Sequence, residues 1–515
     1  MNYNKKAAYG AELLINYGIA NSLIDKRDVN YVRNRLIAAL LLDKPYEGEC
    51  SEIPEEPSRV LEDIMNAVAE DRERAPLLLP DNTVTFRDLL DTALMGCMTP
   101  MPSQVIDKFE QLEKSEGIKS ATDYFYSLAL NTNYIRRDRI AKNKMWHHES
   151  RYANLTITIN LTKPEKDPKE IAKLKLLPQS GYPKCLLCPE NEGYKGTANN
   201  PARQNHRIIP LSLNNESWSL QYSPYVYYNE HCIVLRNEHV PMKIEHDTFV
   251  RLLEFCRRFP HYFIGSNADL PIVGGSILTH DHFQGGNCIM PMFEAKEIIG
   301  FKSEKYGNTD ISIINWPMST VKFKGTDIDE LIKAAYELHC TWMNYSDAHH
   351  DICAYTDGIR HNTVTPIVRK EQDKYCVYCV LRNNRTSPEH PDGIFHPHKQ
   401  WHHIKKENIG LIEVMGYFIL PGRLDKELSI LAEAMVSNTL GALKEDSPAY
   451  KHVEWAEEIM LNNNVTSENV YEILQREIGN VCTNVLEDSG VFKTDAHGID
   501  GFCKFMKSAL DYKQI

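Results

Sequence analysis

The pattern His-x-His-x-Gln occurs twice in this 515-residue chain. The first copy runs from His280 to Gln284 and the second from His396 to Gln400. A chain of this length is too long for one ordinary hydrophobic core, so we expect about two to four domains. The repeated spacing therefore predicts an internally duplicated domain with one copy of the pattern in each part.

The first copy lies within Pro271–Gly286, which has a pair of glycines on each side of the histidines. In a strand or tight loop, side chains two residues apart point the same way, so His280, His282 and Gln284 can share one face. Glycine lets a phosphate or a sugar approach the backbone with no Cβ in the way. Histidine in such a setting favours nucleophilic or acid–base work on a phosphate over a structural turn.

Composition limits the classes of function. The net charge of −12 argues against a protein that binds nucleic acid by neutralising its phosphates. The N-terminus has no signal-peptide pattern, and no apolar run is long enough for a membrane span. Thirteen cysteines, mostly scattered singly, favour a reducing compartment. We expect a cytoplasmic protein without disulfides.

Periodicity predicts an α+β fold with helical extensions at both ends of a sheet core. Apolar residues recur at helical spacing before residue 150, as in residues 32–42, and again after Asp425. Residues 154–161 and 225–235 alternate as strands do, and residues 244–258 have helical spacing. The predicted division is a helical accessory domain over 1–150, two sheet units over 151–310 and 311–430, and a helical region over 431–515.

Two further local patterns indicate ligand chemistry. Cys185-x-x-Cys188 lies between prolines and can place two thiolates on one zinc ion, with His239 as a third ligand. The second such pair, Cys376 and Cys379, lies in a period-2 strand, where residues three apart face opposite sides, so we expect ordinary packing there. A cationic loop over residues 162–169 follows the first strand and can reach a phosphate as readily as it can serve as a solvated surface.

These motifs resemble those of the hexose-1-phosphate uridylyltransferases, a branch of the histidine-triad superfamily. The long helical extension and the sequence segments HDHFQGG, FHPH and LIEVMG are similar to those of the second, bacterial type of galactose-1-phosphate uridylyltransferases. The likeness covers residues 150 to 430. It implies a duplicated antiparallel histidine-triad-like core. It also implies that UMP passes from UDP-glucose to galactose 1-phosphate through a covalent uridylyl-His282 intermediate.

The resemblance also assigns roles to residues. His282 would be the nucleophile, and Gln284 and His280 would be the other catalytic residues. The residues implied to bind nucleotide and phosphate are Lys166, Lys169, Asn229, Asn267, Gly275 and Ser276. Those implied to bind the sugar are Tyr417 and Lys405. A zinc ion would be held by Cys185, Cys188, His239 and His280, and a second metal by His396 and His398. The family implies a homodimer and no organic cofactor.

The sequence departs from the better-known branch at several of these positions. Lysine replaces arginine at 166 and 169, which keeps the positive charge but loses the planar guanidinium that can form two parallel hydrogen bonds. Asp281 stands where that branch has proline, and a third histidine for the second metal has no clear counterpart. Two alternatives stay open: a nucleotide hydrolase or phosphorylase of the histidine-triad type, and a zinc-stabilised scaffold without activity.

Overall fold

The computed structural model describes residues 3–161, 181–275 and 277–515 of an α+β protein. Its N-terminal part is helical, because apolar side chains recur every three to four residues and pack together. In the helix Pro57–Glu70, for example, Val60, Leu61, Ile64 and Val68 are buried on one face. The helices of this part are α1 Tyr3–Ala20, α2 Val29–Ala39, α3 Pro57–Glu70, α4 Ala75–Leu78, α5 Val84–Gly96, α6 Pro102–Glu116, α7 Ile118–Asn131 and α8 Arg137–Ile140.

The centre of the molecule is an eleven-stranded sheet in which every described pairing is antiparallel. Its first five strands are β3 Ile209–Leu213, β4 Glu216–Tyr222, β5 Cys232–Arg236, β6 Phe263–Gly265 and β7 His282–Gly286. The next five are β8 Glu297–Lys302, β9 Asp310–Ile314, β10 Thr320–Gly325, β13 Asn362–Glu371 and β14 Lys374–Asn383. The short β16, Lys513–Gln514, pairs with β8 at one edge.

The order of the strands repeats across this sheet. From one edge it runs β3, β4, β5, β7, β6, and from the other, inside β16, it runs β8, β9, β10, β14, β13. Counted along the chain, a helix lies between the third and fourth strands of each set: α9 His246–Arg258 in the first and α10 Ile328–Met343 in the second. The two sets join where β6 pairs with β13. Strand β8 precedes residue 310 and pairs with β9 of the second set. The predicted four-part division of the chain, with its boundary near residue 310, stays a prediction.

A smaller sheet lies apart from the main one and links distant parts of the chain. It contains β1 Lys144–Glu149, β2 Asn154–Asn160 and β15 Tyr417–Pro421, with β15 parallel to β2. The remaining strands, β11 Tyr355–Thr356 and β12 Ile359–Arg360, form a separate hairpin. The later helices are α11 Leu411–Val414, α12 Arg423–Val436, α13 Val453–Asn462, α14 Val470–Ser489 and α15 Ala496–Lys504.

Two hydrophobic cores cover the two faces of the main sheet. The first core contains the N-terminal helices, α9 and α10, and the second contains the small sheet and α12 to α14. Strand β14 alternates between them: Cys376 and Tyr378 enter the second core, whereas Val377 and Cys379 enter the first. The sequence prediction that Cys376 and Cys379 face opposite sides is therefore confirmed. No helix in the described ranges is both long and apolar enough to cross a lipid bilayer.

Candidate active site and metal centre

His282 opens strand β7, where it pairs with Leu235 of β5. The next residue, Phe283, enters the first core and stacks on Trp218, so His282 and Gln284 face the opposite side of the sheet. His282 is 5% exposed, and burial lowers the pKa of its imidazole to about 4. The ring is therefore neutral at physiological pH.

One ring nitrogen of His282 is fixed by the backbone. Nδ1 lies 2.8 Å from the carbonyl oxygen of His280, an acceptor that requires the proton to sit on Nδ1. Nε2 then carries the free lone pair of the neutral ring.

Gln284 follows His282 on the same face of β7 and is half-buried. Its Oε1 lies 3.3 Å from Nε2 of His231, which is buried immediately before β5. No pattern in the sequence singled out His231. The contact depends on the register in which Ile233 of β5 pairs with Gln284, and only the folded sheet sets that register.

The glycines after Gln284 make room for neighbouring backbone. A Cβ on Gly285 would lie 2.3 Å from the carbonyl oxygen of Phe263 in β6, and one on Gly286 would lie 2.7 Å from that of Glu230. Gly286 also has a φ of 152°, which favours glycine. At these two positions the space predicted for a ligand is taken by backbone of β6 and of the segment before β5.

We therefore expect Gly285→Ala to lower both stability and activity, because its Cβ would push β6 away from the strand that carries His282. The melting temperature and exchange rate should both fall. Gly307→Ala is the matched control, since nothing lies within 4 Å of a Cβ built there. Equal melting temperatures for the two variants would contradict the close packing at Gly285.

A cluster of four side chains of metal-binding types includes His280, two residues before His282. The ligand atoms of Cys185, Cys188, His239 and His280 all lie within 4.8 Å of one another. Cys185 Sγ is 3.6 Å from Cys188 Sγ and 3.1 Å from His280 Nδ1, and Cys188 Sγ is 3.2 Å from His239 Nδ1. Two cysteine sulfurs and two imidazoles this close together fit zinc, which takes four such ligands. In the described part of the chain this is the one such grouping of three or more residues.

The surroundings of the cluster orient its ligands. His280 Nε2 lies 2.6 Å from the carbonyl oxygen of Arg236, so the proton sits on Nε2 and Nδ1 is free to bind a metal. The Asn191 amide donates to the carbonyls of both Cys185 and Cys188 at 2.8 Å. Burial opposes ionisation of the Cys185 thiol, but the hydrogen bonds to its sulfur, among them that from the Leu187 amide, together outweigh burial and lower the pKa. All four residues thus fit the zinc site that the resemblance implies.

The predicted nucleotide-binding residues lie on loops around β7. Asn229 Nδ2 is 3.1 Å from Glu230 Oε1, and Asn267 Oδ1 accepts a bond from the amide of Leu411 at 2.9 Å. A Cβ on Gly275 would lie 2.7 Å from Asn267 Nδ2, so those two residues are adjacent. Lys166, Lys169 and Ser276 lie outside the described residues.

The two predicted sugar-binding residues are buried in the second half of the chain. The Tyr417 ring lies 5.9 Å from that of Tyr228, whose hydroxyl donates to the carbonyl of Gly285 at 3.1 Å. That chain of contacts links Tyr417 to β7. The Lys405 ammonium pairs with Glu413 at 2.7 Å.

The histidines predicted to bind a second metal have protein partners. His396 Nε2 lies 3.3 Å from Asn408 Oδ1, and His398 Nδ1 lies 3.4 Å from Asp488 Oδ1. They follow β14 in the chain, whereas His282 opens β7, so the two His-x-His-x-Gln copies occupy different places relative to their strands. The second metal stays a prediction.

Comparisons with known proteins agree with these observations. Residues 22–241 match the model of the galactose-1-phosphate uridyl transferase N-terminal domain, and residues 255–457 match its C-terminal domain. The chain is 50% identical to a galactose-1-phosphate uridylyltransferase of Halalkalibacterium halodurans, over 96% of this chain and 97% of the relative. It is 49% identical to that of Bacillus subtilis, over 96% of each chain.

Among solved structures, yeast Ap4A phosphorylase is similar at 12% identity over 56% of this chain and 80% of that chain, with a TM-score of 0.27. That score is too low to describe a shared fold. The two domain models span most of the chain between residues 22 and 457, and the relatives match it over nearly its whole length. The chain therefore belongs to the galactose-1-phosphate uridyl transferase family.

Proposed function

We propose that this protein transfers UMP from UDP-glucose to galactose 1-phosphate, giving UDP-galactose and glucose 1-phosphate, through a uridylyl group on His282. The observation that carries the proposal is the state of the His282 ring. It is neutral, its Nδ1 proton is held by the His280 carbonyl at 2.8 Å, and its Nε2 lone pair is free. Family membership names the reaction that such a nucleophile performs.

In the first half-reaction, Nε2 attacks the α-phosphorus of UDP-glucose. The new N–P bond forms as the P–O bond to glucose 1-phosphate breaks, and the leaving group takes the bonding electron pair. The His280 carbonyl stabilises the positive charge that develops on the imidazole. Gln284 donates its amide N–H to a non-bridging oxygen, where negative charge accumulates in the transition state.

In the second half-reaction, a phosphate oxygen of galactose 1-phosphate attacks the same phosphorus and the N–P bond breaks. His282 returns to its neutral state. One sugar-phosphate site serves the leaving group first and the acceptor second, because the two phosphates are chemically alike. We assign that site to the side of β7 near Tyr417 and Lys405. The cations at 166 and 169, with Asn229, Asn267, Gly275 and Ser276, would hold the nucleotide.

We also propose that Cys185, Cys188, His239 and His280 hold a structural zinc ion. Four protein ligands would close the coordination sphere, as structural zinc sites require. When bound, the ion fixes the position of His280. The carbonyl of that residue orients His282, so the metal site supports catalysis through one backbone group. The second metal at His396 and His398 remains a prediction.

The repeated strand order supports a duplicated histidine-triad-like core, with β3 to β7 as one copy and β8 to β14 as the other. The homodimer, the cytoplasmic location and the four-part division of the chain follow from the sequence and the family resemblance. These stay predictions.

A labelling experiment tests the reaction. The protein is incubated with UDP-glucose that carries label in the phosphate next to uridine, without an acceptor. We expect an acid-labile label on His282 that galactose 1-phosphate converts to labelled UDP-galactose. Release of free UMP would instead indicate a hydrolase, and no labelling would indicate a scaffold.

Replacing the amide of Gln284 should slow the reaction without preventing it. We expect Gln284→Ala to lower kcat by roughly 100- to 1000-fold, because one donor to the phosphoryl oxygen is lost. Gln400→Ala is the matched control: it removes the exposed glutamine of the second copy and should keep the wild-type rate. Equal losses in the two variants would contradict the role given to Gln284.

A further inference from the structure

A glutamine can act as a donor to phosphate only if its amide is turned the right way. The two ends of the amide have opposite hydrogen-bonding roles, since Oε1 accepts a hydrogen bond and Nε2 donates one. With Oε1 toward the substrate, Gln284 would repel the phosphoryl oxygens. With Nε2 toward it, Gln284 would stabilise them. The site therefore needs something that fixes the amide before substrate arrives.

His231 is the residue placed to fix it. Its Nε2 lies 3.3 Å from Gln284 Oε1, and this is the one polar contact of the Gln284 side chain that the structure gives among the described residues. If Nε2 of His231 carries the proton, it donates to Oε1 and leaves the amide N–H groups facing away from His231. The ring is 2% exposed, so water does not compete for this bond.

The position of the His231 ring is set independently of Gln284. The ring stacks on Tyr227 at 5.2 Å and packs against Tyr228 at 4.7 Å. The backbone of His231 is also held by hydrogen bonds, since its amide donates to the Tyr228 carbonyl and its carbonyl accepts from the Ser223 amide. A ring held this way acts as a fixed reference for a more mobile side chain.

The other nitrogen of His231 identifies the tautomer. Nδ1 is buried and has no hydrogen-bond partner in the described structure. A buried N–H without an acceptor costs more than a buried lone pair without a donor. The proton therefore belongs on Nε2, facing Gln284. Burial also lowers the pKa of the imidazole to about 4, so the ring stays neutral and has one proton to place.

We propose that His231 is a positioning residue for the transfer: its Nε2–H holds Oε1 of Gln284, so that the amide N–H groups face the phosphoryl group of the substrate. The proposal rests on the function proposed above. It assigns no contact with substrate to His231, which acts through Gln284 alone.

A double-mutant cycle tests this dependence. His231→Phe keeps a ring between Tyr227 and Tyr228 but removes the donor, and we expect it to lower kcat about tenfold with little change in KM. In a Gln284→Ala background the same substitution should have almost no further effect, because the group it positions is gone. His231→Gln, which restores an N–H donor, should recover part of the lost rate.

Four measurements separate the possible failures. His339→Phe, the same substitution at a buried histidine of α10, should keep the wild-type rate. Unchanged melting temperatures in the His231 variants would exclude unfolding as the cause of their slower rates. A full additional tenfold loss when His231→Phe is combined with Gln284→Ala would overturn the proposal while leaving the transferase function intact. A wild-type protein without exchange activity would overturn the function itself.

Discussion

His282→Ala should abolish exchange between UDP-glucose and galactose 1-phosphate while leaving the protein folded. We expect kcat to fall by at least roughly 10⁴-fold, since removing the nucleophile removes the covalent route rather than one stabilising contact. The covalent label from UDP-glucose should disappear at the same time. The imidazole projects from one face of β7, and the pairing of His282 with Leu235 uses only backbone atoms. Circular dichroism and the melting temperature should therefore change little.

His246→Ala is the control for this experiment. His246 is an exposed histidine at the start of α9, and its replacement should leave both labelling and exchange at wild-type levels. If His282→Ala kept the exchange, or kept the label on another histidine, the assignment of the nucleophile would be wrong. Mapping the labelled peptide in the wild-type protein distinguishes His282 from the histidines at 396 and 398.

Cys188→Ser should remove zinc from the protein. Cys188 Sγ lies 3.6 Å from Cys185 Sγ, 3.2 Å from His239 Nδ1 and 3.8 Å from His280 Nδ1, so it contacts every other member of the cluster. We expect the zinc content to fall from about one ion per chain to close to none. The melting temperature should drop with it, because metal binding to a structural site contributes to folding. Exchange activity should also fall, since His280 would lose its anchor.

Cys376→Ser provides the matched control, because Cys376 belongs to the other Cys-x-x-Cys pair and points into the second core. It should keep its zinc. Metal analysis by mass spectrometry on dialysed protein measures both variants. Wild-type zinc content in Cys188→Ser would remove Cys188 from the ligand set. Zinc loss in Cys376→Ser would indicate a second site in β14.

Local spacing was enough to predict that three side chains of the candidate site lie close together. His280, His282 and Gln284 lie within five residues, so their shared surroundings follow from the chain alone. The zinc ligands needed more, since Cys188, His239 and His280 come from segments far apart in sequence. The Cys-x-x-Cys spacing predicted the two cysteines, with His239 as a third ligand, and His280 was added through the family resemblance. Whether an ion fills the cluster stays a prediction.

What the sequence did not predict depends on register and on backbone contacts between strands. His231 meets Gln284 because β5 and β7 pair with Ile233 opposite Gln284, and no local pattern encodes that alignment. Gly285 was interpreted as space for a ligand, but its Cβ would collide with β6. The second His-x-His-x-Gln copy suggested a repeat of the active loop. In the fold the repeat is in the strand order, and that second copy follows β14.

The pairing of β6 with β13 limits how this protein can move. Three consecutive residue pairs, from Phe263 with Arg369 to Gly265 with Ile367, join the two five-stranded sets into one hydrogen-bonded surface. The two five-stranded sets therefore cannot separate as rigid bodies without breaking backbone hydrogen bonds of β6, the strand that pairs with Gln284. Each cycle nevertheless has to release one sugar phosphate and admit another. Release of one sugar phosphate and entry of the next must therefore depend on side chains and loops at the surface of the sheet, and not on separation of the two five-stranded sets.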